Sequence, residues 1–455
     1  MNEKEELILN FMKDEDYVPM KAKEMAMVLN ISKDRYNELI EVLNKLEADL
    51  KIVKNRKNRY RINDEKILEG IYRRNSKGFG FVKIDGEEEE IYISKQNSNK
   101  AFNGDKVIIK IVDEGNKNKS QEGKVIKVVE HAKNTVVGTF EFNKNFGFVV
   151  PDDKSFGTDI FISKSNMGKA RNGHKVLVEI TKYPEGNKHA EGKVLEVLGR
   201  PNEAGVDMLS LIKEYGLPSV FPEEVVNEAK SKGDKIDKNK INGRVDLRDK
   251  EIFTIDGEDA KDLDDAVRVE KMQDGNYLLE VHIADVSEYV NPDSLLDKEA
   301  YLRGTSIYML GRVIPMLPRE LSNGICSLNM NEDRFTLSCS MVINNKGEVV
   351  DSKVYKGLIR VTERMNYNDV QKILDKSDEK VLKRYEKYIP EFELMAELAN
   401  IIKARRLEKG YINLDLPESK IELDQDGWAI DVHKYETHFS NEIIEQFMLT
   451  ANETI

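Results

Sequence analysis

The chain has 455 residues, of which 40% are hydrophobic and 34% are charged, and its formal net charge is -12. This length predicts about three domains, and the absence of any run of about 18 uncharged apolar residues excludes a transmembrane helix. The first residues lack the basic and apolar regions of a signal peptide. Cys326 and Cys339 have no Cys or His at zinc-ligand spacing, which argues against disulfide scaffolds and structural zinc sites. We therefore expect a cytoplasmic protein without membrane contact.

Charge is distributed unevenly along the chain. Residues 51–77 contain ten Lys or Arg and three Asp or Glu, a balance of +7. Residues 246–265 contain nine acidic and three basic residues, a balance of -6. A basic front and an acidic centre favour a polyanion partner and a cation site in different parts of the chain. The alternative is that both runs are solvated surfaces.

Residues 1–66 have the pattern of a winged helix-turn-helix domain. Apolar residues recur at helical spacing in three segments before residue 47. Two short basic strands follow at 50–53 and 59–62, on either side of a turn. Such a unit contacts nucleic acid or serves as a dimerisation or docking module, and both interpretations stay open.

Residues 67–133 and 134–200 form an internal repeat. Gly78–Val82 corresponds to Asn145–Val149 at an offset of 67 residues, and three later blocks correspond at an offset of 69. Each copy alternates short strands with Gly, Asn and Asp turns, which is the pattern of a five-stranded OB-type barrel. We therefore predict two such barrels in succession.

Each copy carries three aromatic residues on two neighbouring strands. Phe79 and Phe81 are two residues apart, so they share one strand face, and the glycine between them lets a ligand approach the backbone. With a third ring, they form a platform on which unpaired bases stack, worth roughly 1–3 kcal/mol per base. Paired Phe are ordinarily core residues, but the repetition of the whole pattern favours the platform, and the copies resemble tandem cold-shock domains. The predicted platform residues are Phe79, Phe81, Tyr92, Phe146, Phe148 and Phe161.

The second half of the chain predicts a different architecture. Residues 201–243 form a connecting region with two helices, and longer strands and helices follow in residues 244–455. A short apolar strand, Ile252–Ile255, runs directly into an acidic stretch at 256–265. This position at the end of a strand makes the acidic stretch the leading candidate for a functional site.

The acidic stretch favours a divalent cation. If the segment is extended, Asp262 and Asp264 share a face, whereas Asp256 and Asp265 need turns to join them. Two carboxylates about 4 Å apart repel by roughly 4 kcal/mol at an effective dielectric constant of 20, so clustering them needs a cation. Oxygen ligands without nearby His or Cys favour Mg²⁺, or alternatively Mn²⁺. The spacing does not fit an EF-hand, and an acidic surface loop is the other interpretation.

This stretch resembles the RNase II/RNB exoribonuclease family. Residues Thr254–Val267, TIDGEDAKDLDDAV, are similar to the family's catalytic signature, and residues 281–287, 303–308 and 314–328 are similar to other parts of its nuclease domain. A helix-turn-helix followed by two cold-shock units is similar to the RNase R branch. The resemblance implies a multidomain α+β protein, with a winged helix-turn-helix, two OB-type barrels and a partial α/β RNB nuclease domain at 244–455.

The resemblance also implies roles for individual residues. The family's catalytic, metal-binding aspartates fall on Asp256, Asp262, Asp264 and Asp265. Glu445 matches an active-site glutamate, Tyr308 a tyrosine that stacks on a base near the RNA 3′ end, and Tyr367 a second RNA-contacting aromatic residue. From the residues alone, Tyr308 is a packed strand residue and Glu445 a solvent-facing helix residue. Asp259 is an additional acid without a matching role.

The implied activity is stepwise 3′→5′ hydrolysis of single-stranded RNA to nucleoside 5′-monophosphates by two metal ions. We expect a monomer, with the ribosome or the RNA-decay machinery as further candidate partners. The family's Ser-Pro-Ile-Arg-Arg-Tyr stretch and S1 domain have no counterpart before Ile455. We therefore expect a truncated member of low activity with apolar surface exposed around its final helix. The alternative is a non-catalytic fragment that binds single-stranded RNA.

Overall fold

The computed structural model describes residues 3–14, 16–116, 120–184, 188–412 and 418–455. The chain divides into two compact units, Met1–Arg200 and Pro201–Ile455. The division lies where the sequence predicts that the second barrel ends. Among the described residues, none of the helices combines the length and the apolar character needed to cross a membrane.

The first unit begins with three helices and a two-stranded hairpin. Their bounds are α1 Glu3–Lys13, α2 Ala22–Val28, α3 Tyr36–Ala48, β1 Ile52–Lys54 and β2 Tyr60–Ile62. Each helix turns one apolar side inward, so that Ile8, Met25 and Leu43 pack in a common core with Ile52 and Tyr60 of the hairpin. This is the predicted arrangement of a winged helix-turn-helix.

Both copies of the repeat close into five-stranded barrels. The strands of barrel 1 are β3 Ile67–Arg74, β4 Gly80–Lys83, β5 Ile91–Ile93, β6 Lys106–Asp113 and β7 Glu122–Glu130, in the order β3-β4-β5-β7-β6. Those of barrel 2 are β8 Thr135–Asn143, β9 Phe146–Pro151, β10 Ile160–Ser163, β11 Lys175–Lys182 and β12 Ala190–Gly199, in the order β10-β12-β11-β8-β9. Alternate residues fill each interior, for example Val107 and Ile109 in barrel 1. The two predicted OB-type barrels are confirmed.

The glycine between the paired phenylalanines has a different role from the predicted one. A Cβ atom on Gly80 would lie 2.4 Å from a ring carbon of Tyr72, and one on Gly147 would lie 2.4 Å from a ring carbon of Phe140. Both rings are fully buried in their barrels. These glycines therefore make room for a core ring, and the prediction that they let a ligand approach the backbone is wrong.

An aromatic junction joins the two barrels. Phe102 of barrel 1 stacks on Phe156 of barrel 2 with 4.1 Å between ring centroids, and His131 stacks on Tyr183 with 3.4 Å. The Nδ1 atom of His131 lies 3.0 Å from Oδ2 of the fully buried Asp105. The same Asp105 oxygen accepts a hydrogen bond of 2.8 Å from the backbone N–H of Phe102. The segment between the barrels is thus clamped to barrel 1 and stacked on barrel 2.

The second unit is built on a seven-stranded mixed sheet with helices and two hairpins. Its strands are β13 Val245–Asp246, β14 Phe253–Asp256, β15 Asp265–Lys271, β16 Tyr277–Ala284, β17 Ile307–Met309, β18 Arg312–Ile314, β19 Asp333–Ile343, β20 Val349–Arg360, β21 Glu363–Asn366, β22 Ser419–Leu423 and β23 Ala429–Lys434. The sheet order is β13-β20-β19-β16-β15-β14-β21, while β17-β18 and β22-β23 are separate hairpins. Its helices are α4 Val206–Glu214, α5 Glu223–Ser231, α6 Leu295–Arg303, α7 Tyr367–Asp375, α8 Glu379–Arg384, α9 Ile389–Glu408 and α10 Phe439–Thr454.

Helices α7, α9 and α10 contribute to one large core with the central strands. Val267 and Leu279 of the sheet are in the same apolar cluster as Phe392 of α9 and Phe447 of α10. The apolar side of α10 is therefore buried, with Ile443 and Phe447 fully inaccessible to solvent. The expectation of an apolar surface exposed around this helix is wrong for this side of α10, which the sheet and two neighbouring helices cover, whereas Ile455 directly after the helix is 72% exposed.

Candidate active site

The four predicted aspartates lie at one end of two adjacent strands. Asp256 is the last residue of β14 and Asp265 is the first residue of β15, with Asp262 and Asp264 in the loop between them. The two strands are antiparallel neighbours in the sheet, so the strand ends that carry the outer two aspartates are close. The sequence predicts a turn that brings Asp256 and Asp265 together with Asp262 and Asp264. The loop of residues 257–264 is that turn.

The fold holds these carboxylates together against their mutual repulsion. Burial raises the pKa of Asp256 to about 7, and the charge of Asp265 adds to the shift while the Arg364 guanidinium opposes it. Burial and the charge of Asp264 raise the pKa of Asp265 to about 6. Partial desolvation and the charge of Asp262 raise the pKa of Asp264. Carboxyl groups shifted by burial and by one another are characteristic of functional sites.

The donor atoms fit a hard divalent cation. All four side chains offer carboxylate oxygens, and Oδ2 of Asp256 is buried without a hydrogen-bond partner among the described residues. Nevertheless, in the described ranges the only group of three ligand atoms within 4.8 Å of one another belongs to Glu422, Asp431 and His433 of the β22–β23 hairpin. No three of the four aspartates therefore bring ligand atoms within 4.8 Å of one another in the described ranges. Mg²⁺ is commonly held by one or two carboxylates together with water and substrate phosphates.

Two residues outside the acidic stretch fix the backbone of its loop. The buried Ser327 hydroxyl accepts a hydrogen bond of 3.1 Å from the N–H of Leu263 and donates one of 3.1 Å to the carbonyl oxygen of Lys261. The Arg364 guanidinium donates to the carbonyl oxygen of Ala260 at 2.5 Å. Both halves of the loop are therefore anchored by side chains distant in sequence.

Sequence reasoning missed both anchors. Ser327 stands in a segment that resembles the family and Arg364 lies three residues before Tyr367, but no spacing rule connects either of them with residues 257–264. Arg364 lies two residues before Asn366, which is opposite Asp256 in the parallel register of β21 and β14. The proximity of Arg364 to the acidic loop can therefore be predicted only when this strand register is known.

Replacing Ser327 with Ala is expected to weaken divalent-metal binding by about 10- to 100-fold, as is usual when a residue supporting metal ligands is removed. The change leaves the Leu263 N–H unpaired, which costs about 1–3 kcal/mol. Thermal unfolding at increasing Mn²⁺ concentrations measures both the metal affinity and the stability of the metal-free chain. Ser322→Ala is the matched control, since the Ser322 hydroxyl donates its hydrogen bond to the neighbouring Asn323 side chain and not to the loop of residues 257–264. Equal metal affinity in both variants would exclude a positioning role for Ser327.

Tyr308 presents its ring to solvent next to the acidic loop. It lies on β17, and its residue surface is 67% exposed. Its hydroxyl group donates a hydrogen bond of 2.7 Å to Oδ2 of Asp262. That hydrogen bond, together with burial, raises the pKa of Tyr308 to about 12. An exposed ring does not fit the packed-tyrosine interpretation, and its contact with Asp262 places it at the candidate site.

Tyr367 and Glu445 differ in their relation to the aspartates. Tyr367 begins α7, and burial and the charge of Asp256 raise the pKa of Tyr367 to about 12. Glu445 is on the exposed side of α10 and accepts a hydrogen bond of 3.1 Å from the Tyr411 hydroxyl. In the described part of the chain, no hydrogen bond or ion pair joins Glu445 to the four aspartates. Tyr367 therefore belongs to the acidic neighbourhood, and the role of Glu445 stays a prediction.

In each barrel, the three predicted rings meet on the outer surface. Ring centroids are 5.7–6.1 Å apart among Phe79, Phe81 and Tyr92. They are 5.7–5.9 Å apart among Phe146, Phe148 and Phe161. All six residues are half-buried, whereas the alternating Val82 and Val149 are fully buried. We call each set of three rings an aromatic triad. Because the rings lie outside the packed interiors, the core interpretation does not account for them.

Three family models match successive parts of the chain. They are the ribonuclease B OB domain over residues 70–128, the cold shock domain over residues 148–222 and the RNB domain over residues 244–455. Ribonuclease R of Thermotoga maritima is 39% identical over 449 residues, which cover 98% of this chain and 63% of that protein. The chain thus spans less than two thirds of the length of the curated relatives that it matches.

Solved structures show the same similarity. The chain resembles Mycoplasma genitalium RNase R in complex with ribose-methylated single-stranded RNA, with a TM-score of 0.78 and 27% identity, over 85% of this chain and 61% of the other. It also resembles the same organism's RNase R in complex with double-stranded RNA, with a TM-score of 0.69 and 26% identity, over 79% of this chain and 60% of the other. The comparisons therefore cover both the barrels and the acidic site.

Proposed function

Because the chain belongs to the RNB family of ribonucleases, we propose that it hydrolyses single-stranded RNA from the 3′ end and releases nucleoside 5′-monophosphates. The observation that carries this proposal is the group of four aspartates at the ends of β14 and β15, in which a buried Asp256 oxygen lacks a partner. RNB nucleases depend on metal in general, and carboxylate donors favour Mg²⁺ or Mn²⁺.

The chemistry divides between the cations and the side chains of the chain. Asp256, Asp262, Asp264 and Asp265 would hold the cations. When bound, two divalent cations would lower the pKa of the attacking water and stabilise negative charge at the phosphodiester. The Arg364 guanidinium offsets part of the negative charge at Asp256 and holds the loop backbone. Ser327 fixes the other half of the loop, so that the carboxylates are positioned before substrate arrives.

Tyr308 and Tyr367 supply positioning at the RNA terminus. A base that stacks on the exposed Tyr308 ring is held beside Asp262, to which the Tyr308 hydroxyl is bonded. The adjacent phosphodiester then lies next to the acidic loop, which favours a reactive geometry. Tyr367, beside Asp256, offers a second aromatic contact. Stacking on a terminal base favours cleavage at the end of the chain over cleavage within it.

Both aromatic triads would bind single-stranded RNA. Replacing Phe79, Phe81, Phe146 and Phe148 with Ala is expected to weaken binding to single-stranded RNA by at least about 100-fold, because base stacking contributes about 1–3 kcal/mol per base. Duplex binding should change little, since paired bases cannot stack on the rings. Fluorescence anisotropy with both RNAs measures the difference, and Phe142→Ala, an exposed ring outside the triads, is the control. Equal losses for both RNAs would show that the barrels bind phosphates instead.

The experiment that tests the proposed reaction uses RNA labelled at its 3′ end or its 5′ end. We expect 3′-labelled RNA to release labelled mononucleotide at once in Mg²⁺, and 5′-labelled RNA to shorten stepwise. Chelation should stop both processes. Internal cleavage products would contradict the proposal.

A second candidate is a non-catalytic protein that binds single-stranded RNA. It is favoured by the separation of the carboxylates, since no three of the four aspartates place ligand atoms within 4.8 Å of one another in the described ranges. This candidate predicts RNA binding without release of mononucleotides in Mg²⁺ or Mn²⁺. The labelled RNAs above distinguish the two.

A further inference from the structure

Six of the 14 Lys and Arg residues of the N-terminal domain lie in its hairpin segment, residues 51–61. We call this segment the wing. Arg59 lies 3.9 Å from Glu24, and Arg61 lies 3.1 Å from Asp64. Lys54, Arg56 and Lys57 are exposed. None of these last three forms an ion pair within the part of the chain that the structure describes. The tip of the wing therefore carries cations that no acidic side chain of the domain neutralises.

The tip holds its cations in a defined turn. Oδ1 of Asn55 accepts hydrogen bonds from the backbone N–H groups of Lys57 at 2.9 Å and Arg59 at 3.1 Å. The N–H of Asn55 donates to the carbonyl oxygen of Arg59 at 2.9 Å. Asn58 adopts the left-handed conformation, with φ of 59°, which Asn tolerates well. Binding at Arg56 and Lys57 thus needs little backbone ordering, which lowers the entropy cost of association.

Helix α3 is at the position of the recognition helix of a helix-turn-helix, and its net charge is negative, whereas that of the wing is positive. The exposed surface of α3 carries Glu41 and Glu38, and Glu38 lies 2.8 Å from Lys4 and 3.6 Å from Arg35. Its one basic residue, Lys45, pairs with the buried Glu5. Among the described residues, α3 therefore offers phosphates no basic side chain that lacks an acidic partner. Of these two elements, the wing is the one with unpaired positive charge.

We propose that the wing binds the phosphate backbone of RNA and that α3 does not read bases. Lys and Arg contacts to phosphates need no groove and no particular sequence. In duplex RNA the major groove is deep and narrow, so that a reading helix is excluded while a narrow basic hairpin contacts the strand from outside. This inference rests on the proposed function, because it takes RNA as the polymer that the rest of the chain holds.

The test is the salt dependence of RNA binding by the whole chain with Arg56→Gln and Lys57→Gln together. Each phosphate contact contributes about -0.7 to the slope of log affinity against log salt for single strands. The double variant should therefore reduce the slope by about 1.4. Because both side chains are exposed and the Asn55 and Asn58 turn is kept, the fold should not change, and thermal unfolding verifies this.

Glu41→Gln with Glu47→Gln on α3 is the matched control, since it changes the same number of charges on the neighbouring element and neither carboxylate forms an ion pair among the described residues. An unchanged slope in this control is expected. An unchanged slope in the wing variant would overturn the inference. That result is also the one expected if the wing binds an acidic protein instead of RNA. A changed slope in the α3 control would overturn it as well. The release of mononucleotides and the triad variants report on the proposed function independently, because neither involves residues 51–61.

Discussion

Replacing Asp264 with Asn is expected to slow RNA hydrolysis by at least about 100-fold, because removing a metal ligand should cost no less than removing a residue that supports one. The amide keeps the shape of the carboxylate but removes its charge. Affinity for single-stranded RNA should stay within a few-fold, since the aromatic triads lie in the other unit. Mononucleotide release measures the first effect and fluorescence anisotropy the second.

Asp259→Asn is the matched control for this variant. Asp259 belongs to the same loop and is exposed, but no family aspartate falls on it. We expect its hydrolysis rate and its Mn²⁺-dependent rise in melting temperature to equal those of the unmodified chain, whereas Asp264→Asn should lose most of that rise. Retained turnover in Asp264→Asn would falsify the two-metal assignment, and loss of RNA affinity in the same variant would show that the loop is part of the binding surface.

Asp256→Asn is expected to stabilise the metal-free chain at pH 8. The pKa of Asp256 is raised from 3.8 to about 7 in the folded chain. The folded state therefore binds the Asp256 proton more tightly than the unfolded state, and stability falls as the pH rises from about 4 to about 7. At about 1.4 kcal/mol per pKa unit, the gain at pH 8 has an upper limit of about 4 kcal/mol. The gain should vanish near pH 4, where the carboxyl group is protonated.

Urea unfolding in a chelator at pH 4 and pH 8 measures this gain as a difference between the two chains. Burial lowers the pKa of His282 to about 4. His282 therefore contributes the opposite dependence, in which stability is lost as the pH falls from about 6.5 through about 4. That contribution is present in both chains and cancels in the difference. With Mg²⁺ in excess, the order should reverse, because only the unmodified chain retains the full ligand set. Equal stability at pH 8 without metal would mean that the Asp256 charge is not destabilising.

The fold was predictable where the information is local. Alternating short strands and turns, repeated at offsets of 67 and 69 residues, were sufficient to predict both barrels, because strand periodicity and turn chemistry act over a few residues. The same alternation placed Phe81 opposite Tyr92 and Phe148 opposite Phe161 on neighbouring strands. By contrast, the role of Gly80 depends on the Tyr72 ring of another strand, which the local pattern does not contain.

The candidate site was predictable only in part for a similar reason. The resemblance identified the four aspartates, but the partial burial of Asp256 and Asp265 and the electrostatic contacts within the group arise from strand pairing. Ser327 lies 64 residues from the Leu263 N–H that it binds, and Arg364 lies 104 residues from the Ala260 carbonyl. Hydrophobic periodicity does not encode such long-range polar anchors, so they emerge only once β14, β15 and β21 are placed side by side.

The aromatic junction between the barrels has a consequence for how RNA length governs binding. Because Asp105 and Tyr183 hold the connecting segment through His131, the second triad stays within a fixed reach of a strand already bound to the first. The second contact is then intramolecular and occurs at a high effective concentration, which raises avidity by about 10²- to 10⁴-fold over one site. Oligonucleotides too short to reach both triads gain none of this increase. Affinity should therefore rise in one step at a threshold length rather than gradually with each added nucleotide.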